Sequence, residues 1–142
     1  MSDAQPLSRF RVAQDSGDTY RRAAGELRAG RKTTHWMWFV FPQLEGLGRS
    51  PTARAYSIHS LAEARDYLRD PVLGPRLVEC AGIIAALHGV SAEEIFGAVD
   101  AMKLRSSMTL FARAAPDQEI FATVLQKYFN GVPDGVTHDL LD

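Results

Sequence analysis

Apolar residues recur along this chain at intervals of three and four rather than two, a pattern that predicts helices almost throughout and no alternating strands. Tyr20, Ala23, Ala24 and Leu27 share one face of a helix over about 18–29, and Gly30 suits its C-terminal cap. Leu77, Cys80, Ile84 and Leu87 make a second stripe, which starts near Pro75, closes at Gly89 and marks a central helix. Leu104, Met108, Phe111 and Ala112 make a third, with Asp100 as its cap and Pro116 just past its end. Phe121, Val124, Leu125 and Tyr128 line a last long helix ended by Asn130-Gly131.

Start signals fill in the rest. Ser8 is placed to cap a first short helix, with Leu7 and Val12 as a hydrophobic staple and Ser16-Gly17 as its break. Ser60-x-x-Glu63 and Ser91-x-x-Glu94 are capping boxes, and Ser50 precedes Pro51 at a first helical position. The run from His35 to Phe41 is aromatic enough for a buried strand. Thr34 as N-cap and Pro42 as terminator favour a helix, because nothing nearby offers a strand a partner. The expected fold is therefore all-α, a compact multi-helix orthogonal bundle without a substantial sheet. One domain spans 1–142, with an ordered core over about 7–130 and fraying confined to the first few residues and the tail after Gly131.

Composition narrows the function classes. With 46% hydrophobic and 23% charged residues the chain can build a core, so disorder is excluded for most of it. Its single cysteine, Cys80, cannot form an internal disulfide and fits a reducing, cytoplasmic setting. Neither a leader pattern nor an apolar run of about 20 residues is present, so no membrane partner is expected. A net charge of −1 argues against nucleic acid, which needs many Lys and Arg. The charge is unevenly spread: nine Lys/Arg stand against five Asp/Glu before His59, and seven against twelve from there on. The first part can thus supply a local anion site.

Catalytic signatures are sparse. The four histidines form no H-E-x-x-H pair and one cysteine cannot make a thiolate cluster, so no metal site is expected. Without a phosphate loop, a dinucleotide-binding glycine turn or a nucleophile elbow, no cofactor is expected either. Two segments remain. In the first, Arg31, Lys32 and Thr34, and again Arg49 and Ser50, set cations and hydroxyls before helix starts, where backbone N–H groups attract anions. Between them Trp36 and Trp38 offer faces for stacking, His35 is the one acid/base candidate, and Gln43 can orient a ligand or water. Glu45 is the nearest carboxylate in sequence. In the second segment Lys103, Ser106 and Ser107 fall on one side of a helix, bordering its apolar face. Ordinary capping and core packing are the simpler account of the same residues.

These two segments, HWMWFVFPQLEGLGRS from His35 to Ser50 and KLRSSMTLF from Lys103 to Phe111, resemble a bacterial family catalogued as a domain of unknown function, over about 7–129. The resemblance implies a compact, mainly helical domain and no established activity, cofactor or catalytic residue. Some members carry the genome label "calpastatin". A calpain inhibitor of that type is a disordered repeat polypeptide, whereas this chain is core-rich and has no repeats. Two functions are consistent with the residues. One is a site for an anionic, nucleotide-like small molecule, with or without hydrolytic chemistry, and the other a non-enzymatic protein-interaction domain. Neither segment carries a signal for an oligomeric state.

Overall fold

In the computed structural model, which describes residues 6–141, the apolar stripes become helices. In chain order they are α1 (Ser8–Asp15), α2 (Thr19–Arg28), α3 (Met37–Val40), α4 (Pro51–Ala55) and α5 (Leu61–Arg69), then α6 (Leu73–Ala86), α7 (Ala92–Phe96), α8 (Ala98–Ala114), α9 (Ile120–Phe129) and α10 (Gly135–Leu141). A 3-10 turn at Ser16–Asp18 separates α1 from α2, with Gly17 at φ 59° supplying the left-handed kink. No strand forms among the described residues. One isolated parallel bridge pairs Leu44 with Ile58. The all-α expectation holds.

Two helices organise the packing. α6 lies against α2, α3, α5 and α9, and α8 against α5, α7, α9 and α10. The stripes face inward as expected: Ala23, Ala24 and Leu27 of α2, Leu77, Cys80 and Ile84 of α6, and Phe121, Val124 and Leu125 of α9 are all buried. In α8 every residue from Ser106 to Phe111 is buried, so this stretch is covered on all sides and not along one face only. A single apolar cluster runs through the bundle from Phe10 to Leu125.

Several local expectations give way to tertiary contacts. The helix over 35–41 shrinks to α3, and Thr34 does not cap it, because its hydroxyl is held by Glu26 and Trp36 occupies the N-cap position. Asp100 is not the cap of α8, which starts after Gly97 at φ 82°. It sits inside the first turn and binds lysines instead. Leu7, not Ser8, precedes α1, and Val12 is exposed, so the proposed staple does not close. The Ser91–Glu94 box forms completely, whereas Glu63 turns past Ser60 to accept from the His59 backbone N–H. The chain after Gly131 forms α10, whose Thr137 is buried, in place of a frayed tail. The expected fraying at the other end falls on residues 1–5, outside the described residues.

Cys80 is wholly buried, and burial is the main cause that pushes its thiol up to about 12. Close approach of α5 and α6 requires Gly74, since a Cβ there would lie 2.1 Å from the Leu68 carbonyl oxygen. Gly74→Ala should therefore cost about 1–3 kcal/mol in denaturant unfolding, by overpacking against backbone. Gly82→Ala in the same helix, where a Cβ would meet nothing within 4 Å, should instead be neutral or stabilising by about 0.5–1 kcal/mol.

Candidate functional site

The aromatic segment is anchored by one carboxylate. Glu26, on the last turns of α2, accepts from the Thr33 N–H at 2.6 Å, the Thr34 N–H at 3.0 Å and hydroxyl at 2.6 Å, and the Trp36 indole N–H at 2.9 Å. Partial burial raises the affinity of this carboxyl for a proton, but the four hydrogen bonds outweigh it and hold the group at about 2. Trp36 is thereby turned into the core, 1% exposed, against Phe41 and Phe96.

The same loop delivers a cation to α8. The Lys32 N–H donates to the Ile95 carbonyl at 2.7 Å, and its side chain, 9% exposed, runs inward to Asp100 Oδ2 at 2.8 Å. On the other oxygen of Asp100 sits the Lys103 ammonium at 3.3 Å. Each lysine also lies over an indole ring, Lys32 at 5.2 Å from Trp36 and Lys103 at 5.0 Å from Trp38. One carboxylate thus joins the two motif regions, and two ammonium groups share it.

Lys103 reaches from this pair to a groove of about 240 Å³ between the 43–48 loop, the first half of α8 and the start of α10. Leu47, Val99, Met102 and Val136 supply its apolar walls, and Gln43, Ser106 and Asp134 its other polar groups. Gly48 lets the loop lie against α4, because a Cβ there would come within 2.4 Å of the Ala53 Cβ. Asp134 is placed by capping α10: its Oδ2 accepts from the Thr137 N–H and hydroxyl at 2.9 and 2.7 Å, and its own N–H donates to Thr109 Oγ1 at 2.9 Å.

Of the candidate residues read from the sequence, Lys103, Ser106 and Gln43 meet in this groove, with Lys32 and Trp38 behind Lys103. Ser106 donates its hydroxyl to the Met102 carbonyl at 3.2 Å. Thr34 and Trp36 are engaged by Glu26, and the Ser50 oxygen caps α4 by accepting from the Ala53 N–H at 3.1 Å. Ser107 is fully buried, and its hydroxyl has no hydrogen-bond partner among the described residues. Arg31, His35 and Arg49 are exposed and do not line the groove. Glu45 faces elsewhere: it pairs with His59 Nδ1 at 2.8 Å across the Leu44–Ile58 bridge, beside a cleft of about 320 Å³ walled by Leu44, Leu61, Leu140 and Leu141. Two residues escaped the sequence reading. His59 has no motif around it, and Asp134 is recognisable only as a cap for a helix that the apolar pattern did not announce.

No group of three or more His, Cys, Asp or Glu among the described residues is arranged to hold a metal ion. Nor is any described helix long and apolar enough to cross a membrane. Fold and site together define a mainly helical domain with a small, mixed-charge groove at the edge of α8. The chain belongs to the family described as "Protein of unknown function (DUF1810)", whose model matches residues 4–141. It is similar to the conserved hypothetical protein Rv1873 from Mycobacterium tuberculosis, known from a crystal structure at 1.38 Å. The two are 55% identical, the match covers 95% of each chain, and the TM-score is 0.92. Comparison with curated proteins gives no match.

Two substitutions test the anchoring. Because the Glu26 carboxyl is depressed from 4.5 to about 2, its contribution to stability is complete above about pH 4.5 and is lost as pH falls toward 2. The stability gap between wild type and Glu26→Gln, measured by urea unfolding, should accordingly be about 2–3 kcal/mol near neutrality and close over that acid window. Asp100→Ala strands the Lys32 charge out of water and should cost about 3–5 kcal/mol. A loss below 1 kcal/mol would mean that Lys32 escapes to solvent.

Proposed function

We propose that the chain binds a small molecule through an anionic group in the groove beside Lys103. The observation that carries this reading is the meeting of Lys32 and Lys103 on a single carboxylate, Asp100, at 2.8 and 3.3 Å. Lys32 takes up part of the Asp100 charge from the side away from the groove, so the Lys103 ammonium that lines the groove is only partly neutralised and has donors to spare for an anionic group. At about 240 Å³ the groove lies just under the ~300–1,000 Å³ of drug-sized sites, so the occupant is small.

Recognition rests on charge before stacking. Trp36 has no open face, and the ring of Trp38 carries the Lys103 ammonium, so a nucleotide-like ligand would have to share or displace that cation. Binding has more support than hydrolysis, since neither histidine nor cysteine lines the groove and His35 stands outside it. The exposure of Val99, Met102 and Val136 keeps a protein-interaction role as the competing reading.

Thermal shift against a panel of carboxylates, phosphate monoesters and nucleoside monophosphates tests the proposal. A ligand at 100 times its Kd should add ~2.7 kcal/mol, a rise in Tm of roughly 5–10 °C for a domain of this size. Lys103→Ala should abolish that rise while moving the unliganded midpoint by only a degree or two. No response to any anion in the panel, or to any amino acid tested alongside it, would overturn the reading in favour of a partner surface.

A further inference from the structure

We infer that the molecule this groove takes is a zwitterion with an aliphatic side chain, in chemical class an apolar α-amino acid; the inference rests on reading the groove as a small-molecule site. Charge decides first. Lys32 and Lys103 carry two positive charges, and Asp100 and Asp134 carry two negative ones, so the surroundings of the groove are neutral as a whole but divided locally. A polyanion such as a nucleoside diphosphate would find no surplus to neutralise it. A zwitterion meets both halves, with its carboxylate on Lys103 and its ammonium on Asp134.

The free valences match. Asp134 uses Oδ2 to cap α10, while its Oδ1 has no hydrogen-bond partner among the described residues. The Gln43 side-chain amide, also lining the groove, is likewise without a partner among them, and it can donate to a carboxylate and accept from an ammonium. Ser106 spends its proton on the Met102 carbonyl, which leaves its oxygen as an acceptor for an ammonium N–H.

The remaining wall is apolar. Of the six large hydrophobic side chains left exposed among the described residues, three stand here: Val99 and Met102, each 68% exposed, and Val136, 58% exposed. A branched aliphatic group set among them and Leu47 removes apolar surface from water on both sides. The groove volume of about 240 Å³ suits a single amino acid and not a longer peptide. No lining residue is aromatic, which again favours an aliphatic group over a flat ring.

Isothermal titration of the intact chain with L-leucine, isocaproate, isopentylamine, glycine and inorganic phosphate separates the contributions. L-leucine should bind most tightly. Isocaproate, which lacks the ammonium, and isopentylamine, which lacks the carboxylate, should each bind about tenfold or more weaker, as expected for a lost charge-assisted hydrogen bond. Glycine should lose roughly fourfold for each methylene-sized group removed. Asp134→Asn keeps the α10 cap, since Asn caps as well as Asp, and should erase the preference for leucine over isocaproate without weakening isocaproate. Met102→Ser, at a position too exposed to matter for folding, should weaken leucine while leaving glycine unchanged. If isocaproate binds as tightly as leucine, or phosphate binds more tightly, the zwitterion inference is overturned and the anion site stands. If no compound in the titration binds, L-leucine included, and the anion panel above is also silent, both readings fall.

Discussion

The Glu26 carboxylate, held by four hydrogen bonds from one short stretch of chain, is the constraint on which the arrangement of the groove depends. Taking a carboxylate partly out of water is unfavourable unless its lone pairs are filled, and here backbone, hydroxyl and indole donors fill them together. The stretch 33–36 has no regular helix to satisfy its own N–H groups, so the carboxylate and the loop complete one another. Trp36 is turned inward by the same contact, and the aromatic cluster with Phe41 and Phe96 closes around it.

From that anchor the chain reaches α8 in one step. Lys32 immediately precedes the Glu26-bound residues, and its N–H is tied to the Ile95 carbonyl at the end of α7, so its side chain has a single direction to run. Asp100 receives it, and because Asp100 and Lys103 are one helical turn apart, the second lysine arrives on the same carboxylate. The position of Lys103 at the groove is thus a by-product of fastening the aromatic loop to α8. Of the three charges that fasten the loop here, Lys103 also lines the groove.

Local signals were read correctly where only local physics applies. Ser91 with Glu94, Ser50 with Pro51, Gly30 and Asn130-Gly131 all end or begin helices, because a cap satisfies backbone groups within its own turn. Thr34 and Asp100 carry the same signature yet serve distant partners, since a hydroxyl or carboxylate that suits an N-cap suits any donor or acceptor that folding brings near. α8 shows the limit of periodicity. From Ser106 to Phe111 the helix is enclosed on every side, so Ser106, Ser107 and Thr109 are buried with the apolar residues, and the stripe there no longer tells inside from outside. α10 shows another: it is too short to carry a stripe, and it forms because Asp134 caps it and Thr109 of α8 receives the Asp134 N–H.

By itself the sequence determined the helical class, most helix boundaries, the family and the two segments from which the groove is partly built, because periodicity, caps and contiguous motifs act within a few residues. Only the tertiary structure decided that Lys32 and Lys103 share Asp100, that Trp36 is closed to any ligand, that Glu45 turns to His59, and that Asp134 brings a negative charge to the groove. Each of these is a contact between parts of the chain far apart in sequence. Their pairing is set by which side chains can be desolvated together once the helices pack, and no short-range pattern encodes that.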